Sequence, residues 1–339
     1  MRRRGGEATA MQWRKSAVMG GATSGAALGA AANDVVARGA EPMENPLGGD
    51  AGEILWRGHR IAYTRQGQGT PVLLIHGLYA GASSLEWRHT VPALVDRHTV
   101  ITVDLLGFGR SDRPAARYTP GLYQALLGDV LSRVVRESCA VVASSLSAAH
   151  LIALAARDPR QIAVLALIAP TGVAHLRDPE PSGSAATRML LDAPIVGTTI
   201  YHRLTSAASM REYLEAVYAD DRLVTPAMVD SYVRAAQQPG GRHVVATLMS
   251  GTLNVDVRAA LRRVRQPALV LWGGLAKKNP IEHAHAFRVI KHDLEWALIP
   301  EAGDLPHDER PDEVNAALRN FLERTGRWST PARPRLVMT

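Results

Sequence analysis

A chain of 339 residues that is 46% hydrophobic and 21% charged is long enough for one large domain with an insertion, or for two smaller ones. A single cysteine, Cys139, excludes an intrachain disulfide and argues against a Cys-ligated metal centre; within the apolar run CAVVA it reads as a small buried thiol. The formal charge of +7 sits partly in the tails, and no basic stripe interleaved with aromatics crosses the body, so no nucleic-acid partner is expected.

Residues 1–52 read as a leader and linker. The uncharged run 16–33, SAVMGGATSGAALGAAAN, follows Arg14 and Lys15 as a signal peptide or short membrane anchor would. Its larger apolar side chains are Val18, Met19 and Leu28 alone, and its length is at the lower limit of the ~18 residues a spanning helix needs. A loosely ordered leader is an equal reading. A cytoplasmic location is the first expectation, with export or membrane association through 16–33 as the alternative. Pro42, Pro46 and GGD complete the linker.

Strands and helices then alternate. ILWRG and RIAYTRQG form a hairpin pattern, and PVLLIHG, TVITVDLLG, CAVVAS and IAVLALIAP are short buried strands bounded by turn residues. Between them SLEWRHTVPALV, GLYQALLGDVLSRVV and LSAAHLIALAARDP carry helical patterns. Such alternation predicts an α/β fold with a mostly parallel sheet covered by helices on both faces. From Thr171 to Arg265 the strand signal gives way to helical segments, and PALVLWGG, LEWALIPEAG and the helix PDEVNAALRNFLERTG then resume the sheet pattern. The economical division is a core of residues 53–170 and 266–325, a helical insertion at 171–265 and a tail at 326–339.

Four motifs fall at the turns after strands. The stretch Ala143-Ser144-Ser145-Leu146-Ser147 places a serine between small residues where a strand enters a helix. A nucleophile on such a tight turn requires small neighbours two residues away, as in G-x-S-x-G. His76-Gly77 follows the first buried strand, DLLGFGRSDRP follows the next, and GDLPHDERPDEV precedes the last helix. In this order and spacing, over roughly Glu53 to Arg324, the chain resembles the α/β-hydrolase family, in its capped, esterase- and epoxide-hydrolase-like branch with a helical cap after the sixth strand. The resemblance implies that Ser145 takes the nucleophile position and that the amides of Leu78 and Leu146 form the oxyanion hole. It implies structural roles for His76 and Asp104.

Two further positions depart from the family's pattern. The acid lies in W-G-x-x-D-x-x-x-P, which here reads Trp272-Gly273-Gly274-Leu275-Ala276-Lys277-Lys278-Asn279-Pro280, with Ala276 at the acid. The base lies in G-H-x-P-H-x-E-x-P, which here reads Gly303-Asp304-Leu305-Pro306-His307-Asp308-Glu309-Arg310-Pro311, with Asp304 at the base. A serine hydroxyl is a poor nucleophile until a base takes its proton, and a carboxylate of ordinary pKa, about 3.9, is weak in that role. Loss of a triad histidine removes about 10⁶ in rate. His307 is the nearest surrogate base in sequence. His150 reads as a packed histidine, Glu282, His283 and His285 as surface residues of a helix, and Lys277 and Lys278 as solvated loop charges. No His, Asp or Glu pair has metal-ligand spacing, and no cofactor is implied.

Two functions follow. One is a serine hydrolase of an ester or related small apolar acyl substrate, weak or unusual because Ala276 and Asp304 stand at the acid and base. The other is a non-catalytic relative binding a hydrophobic small molecule or a protein partner. Ligand choice is expected to rest with 171–265, where Met189, Leu190, Leu191, Tyr201, Tyr213, Tyr218 and Met228 are candidate pocket residues, though helical spacing explains most of them as packing. The oligomeric state is not encoded in any motif.

Overall fold

The sheet begins as a hairpin because Arg57 and Gly58 both adopt positive φ, 50° and 83°, the turn whose twist matches two antiparallel strands. It joins β1 (Asp50–Trp56) to β2 (His59–Gln66), in register from Asp50 opposite Arg65 to Trp56 opposite His59. The remaining strands are β3 (Thr70–Ile75), β4 (His98–Val103), β5 (Cys139–Ser144), β6 (Ile162–Ile168), β7 (Ala268–Gly273) and β8 (Glu295–Ile299). They form one eight-stranded sheet in the order β1-β2-β4-β3-β5-β6-β7-β8, antiparallel at β1, β2 and β4 and parallel from β4 onward. This computed structural model describes residues 43–178, 189–191, 193 and 196–325. The run 16–33 and the tail 326–339 lie outside the described residues, so the expectations about them are not addressed.

Side chains alternate across the sheet and divide the interior in two. Val72, Leu74, Val100, Val142 and Leu271 face one core, closed by α1 (Val91–Leu94) and by Val314, Leu318 and Phe321 of α10 (Pro311–Thr325). Leu73, Ile75, Ile101, Val141 and Val270 face the other, closed by α2 (Pro120–Val130), α3 (Ser145–Arg157) and α9 (Glu282–Ile290). The stretch SLEWRHTVPALV is less helical than its pattern predicts. It forms a 3₁₀ turn at Ser84–Trp87 and the single turn α1, because Pro92 cannot continue a helix arriving from Arg88.

Between β6 and β7 the described residues are helical: α4 (Val196–Leu204), α5 (Ala207–Val217), α6 (Pro226–Ala236), α7 (Gly241–Met249) and α8 (Arg258–Leu261). Ser206 and Thr225 cap α5 and α6 by accepting from Ser209 N and Met228 N. Met210, Leu214, Val217, Val229 and Tyr232 form a cluster of their own, which meets the sheet domain at Leu305 after β8 and Tyr79 after β3. Because β3 and β5 to β8 run parallel, the loops carrying Leu78, Ser145, Ala276 and Asp304 all emerge at one end of the sheet, where α/β folds place their ligands. No helix among the described residues is long and apolar enough to cross a membrane.

Candidate active site

Ser145 stands where β5 becomes α3, with φ of 50°. A non-glycine residue in this region costs about 1–2 kcal/mol, and the strand and helix on either side impose it. The flanking Ala143 and Ser147 are buried, at 0% and 1% exposure, as the crowding of such a turn requires. Ser147 has no hydrogen in place of a side chain, yet its hydroxyl is accommodated by donating to the carbonyl of His76 at 2.6 Å, tying the elbow to the loop after β3. Ser145 itself is half-buried, and its carbonyl accepts from Thr171 N at 3.3 Å. Ser144 is buried, with its hydroxyl donating to Glu86.

His76 accepts from the amide of Leu105 at Nε2 (3.0 Å) and lies 2.7 Å from the Gly77 carbonyl through Nδ1, so it braces two loops. Asp104 accepts from Ser84 N at 2.7 Å and from Arg110 Nε at 2.9 Å. Both residues hold loops in place. Leu78 and Leu146, whose amides are the expected oxyanion donors, are both buried, one in the loop after β3 and the other directly after Ser145.

Asp304 is turned toward the loop after β7. Its carboxylate accepts the amides of Lys277 (3.0 Å), Lys278 (2.9 Å) and Asn279 (2.7 Å). Burial pushes its carboxyl above the ordinary range, against the pull of those three amides and of Lys278. Ala276 is buried at the start of this loop and brings no polar group. Position 304 therefore still meets the segment that follows 276, through carboxylate-to-amide bonds in place of a side-chain pair. Gly303 permits the close approach, since a Cβ there would lie 2.7 Å from Ala219 N. Asp304 N donates to Val217 O at 2.8 Å and Ala219 N to Glu309 at 2.7 Å, so the end of α5 is fastened to the same loop.

His307 makes no bond to Ser145. It is fully buried, its Nε2 lies 3.1 Å from Glu86 Oε1, and its Nδ1 has no partner. Glu86 is the residue that sequence reasoning missed. It also accepts from Gly77 N at 2.9 Å and Tyr79 OH at 2.7 Å. Burial alone would raise its carboxyl, but the hydrogen bond and charge of His307 and the hydrogen bond from Ser144 outweigh that and hold it at about 2. Its only sequence signal is a carboxylate beside Trp87 in SLEWR. His150 is packed as expected: 1% exposed, stacked on Tyr123 at 5.9 Å, and pushed down to about 4 by burial.

Glu282 and His285 are exposed, as a surface helix predicts, whereas His283 is half-buried and bonds Asn279 Oδ1 at 2.9 Å. Of the candidate pocket residues, Tyr201 and Tyr218 are buried with hydroxyls bonded to Ala236 O and Asp308, and Leu191 is buried. Tyr213 and Met228 are half-buried in the α5–α6 cluster, and Met189 and Leu190 are exposed. Packing thus accounts for the tyrosines at 201 and 218. Among the described residues no group of three or more His, Cys, Asp or Glu is placed to hold a metal ion.

An eight-stranded, mostly parallel sheet with a strained serine between strand and helix defines a class. Residues 72–317 match the alpha/beta hydrolase family, and the chain belongs to it. It is 27% identical over 275 residues to a 2-hydroxy-6-oxo-6-(2'-aminophenyl)hexa-2,4-dienoic acid hydrolase of Metapseudomonas resinovorans, covering 79% of this chain and 89% of that one. It is 28% identical over 229 residues to a 2-hydroxymuconate semialdehyde hydrolase of a Pseudomonas species, covering 65% and 75%. The crystal structure of a serine hydrolase involved in carbazole degradation superposes with a TM-score of 0.68 at 25% identity, covering 81% of this chain and 99% of that one. These relatives are hydrolases.

Proposed function

We propose that this chain binds a small apolar carbonyl compound, an ester or related acyl group, at Ser145 beneath a cap formed by 171–265. It hydrolyses that compound far more slowly than a complete serine–histidine–acid site would. The reading rests on one observation: the carboxylate at the base position is taken up by the amides of Lys277, Lys278 and Asn279. Ser145 keeps the elbow geometry, and the amides of Leu78 and Leu146 are the donors that would polarise a bound carbonyl. What the site lacks is a group to take the Ser145 proton, with Ala276 offering no acid to orient one. Without the base, binding and the oxyanion hole leave about 10³–10⁴ of rate enhancement over water.

The test is hydrolysis of short p-nitrophenyl esters, together with labelling by a fluorophosphonate probe that reports activation of Ser145. Wild type and Ser145→Ala should turn over within a few-fold of one another, with little labelling of either. Saturable turnover abolished by Ser145→Ala would overturn the proposal. A second reading has His307 as surrogate base, with Glu86 behind its ring at 3.1 Å as an acid stands behind a catalytic histidine. Turnover lost in both Ser145→Ala and His307→Ala would favour it.

A further inference from the structure

The two walls of the expected oxyanion hole come from different strands: Leu78 from the loop after β3 and Leu146 from the first turn of α3. Nothing in the sheet itself sets their separation, since the β3–β5 ladder ends at Ile75 and Ala143, before either residue. Two side chains tie the loops together: the Ser147 hydroxyl donates to the His76 carbonyl at 2.6 Å, and a buried carboxylate engages residues on either side of Leu78 as well as the elbow. Glu86 accepts from Gly77 N at 2.9 Å and Tyr79 OH at 2.7 Å, the residues on either side of Leu78. The same carboxylate accepts from the Ser144 hydroxyl, two residues before Leu146. Its Oε1 carries both Ser144 and His307, and its Oε2 both Gly77 and Tyr79, so each oxygen is fully engaged.

We propose that Glu86 is the positioning residue of this site, a buried carboxylate that bridges the loop after β3 to the serine elbow and fixes the Leu78 and Leu146 amides relative to each other, with His307 as its partner on the far side. Glu86 acts through Gly77 and Ser144, which it holds directly and which precede the donor residues Leu78 and Leu146 by one and two positions. A charged acceptor suits this task because bonds to an ionised carboxylate are stronger than neutral ones, and because burial at 4% exposure removes competition from water. The packing is close enough to transmit position: a Cβ on Gly77 would stand 3.0 Å from the Ser144 hydroxyl oxygen and 2.9 Å from the Tyr79 ring. The inference rests on the proposed placement of the hole, and its bridging element can be read without any ligand.

The experiment is hydrogen exchange by mass spectrometry on wild type, Glu86→Gln and Glu86→Asp, with binding of a short alkylboronic acid measured in parallel. In Glu86→Gln the amides of 77–80 and 144–148 should exchange about 10- to 100-fold faster, the loss expected when a bond to a charged acceptor is weakened. The strand amides of 72–75 and 139–143 should stay as protected as in wild type. Glu86→Asp keeps the charge and should restore part of the protection in both segments together. Boronate affinity should fall in step with the exchange. Unchanged exchange at both segments, or a uniform rise across the sheet, would overturn the bridging role. Wild type that binds no boronate while the paired exchange response holds would instead refute the carbonyl-binding function and leave the bridge intact.

Discussion

Removing the Asp304 carboxylate should loosen the loop after β7 and leave ester turnover where it was. In Asp304→Ala three amides lose their acceptor. Lys277 and Lys278 are exposed, so water replaces the carboxylate at their N–H groups and little is lost there. Asn279 is 5% exposed, and a buried amide left without a partner costs about 1–3 kcal/mol. Working against this, burial holds the Asp304 carboxyl above its ordinary range in spite of the amides and Lys278, so the fold on balance disfavours its ionised form. The net expectation is a destabilisation of about 1 kcal/mol. For a domain of this size that is a fall in Tm of roughly 2–3 °C. Asp304→Asn keeps an acceptor oxygen for Asn279 and should lose less than half as much. The pH dependence has a definite sign. A carboxyl raised in the fold binds its proton more tightly there than in the unfolded chain, so its contribution to stability is complete at low pH and declines as pH rises through the folded pKa. Asp304→Ala should lack that decline. Thermal unfolding followed by circular dichroism between pH 4 and 7, with p-nitrophenyl acetate hydrolysis alongside, measures all of this. A Tm unchanged within 1 °C in Asp304→Ala, or a tenfold fall in turnover, would refute the assignment of this carboxylate to the loop.

Two further outcomes follow from the same geometry. Ala276→Asp combined with Asp304→His should assemble a nucleophile, base and acid and raise ester turnover or probe labelling above wild type, with Asp304→His alone giving less and Ala276→Asp alone nothing; the double variant should also unfold several degrees lower, because the imidazole cannot accept all three loop amides, and a folded double variant no more reactive than wild type would contradict the placement of both positions. His150 is neutral in the fold because burial lowers its pKa from 6.5 to about 4, so the unfolded chain takes up a proton that the folded chain refuses as pH falls through that window, and stability should drop by about 3 kcal/mol between pH 6.5 and 4. His150→Leu should flatten that part of the profile in urea titrations at stepped pH; an equally steep loss in the variant would show that other groups carry it.

The architecture was legible in the sequence because each element is specified by local signals. Alternating apolar runs closed by Gly, Pro or Asp define the strands, and the period of the helices between them identifies the connections. The elbow at Ser145 was legible only in company, since a serine at a strand-to-helix junction can equally be an ordinary helix cap, and it was the order and spacing of the other turn motifs that singled it out. The substitutions at Ala276 and Asp304 could be read from register alone, between Trp272 and Pro280 and between Gly303 and Pro311. What sequence could not supply was where the carboxylates point. Asp304 meets amides 25 to 27 residues back along the chain, and Glu86 meets His307 across 221 residues. His283, read as a surface residue, is drawn inward by Asn279. Whether an ionised side chain faces water or an interior partner depends on which distant groups the fold brings within about 3 Å to offset its lost hydration. Local pattern decides that a charge exists at a position; only the packed structure decides what that charge holds in place.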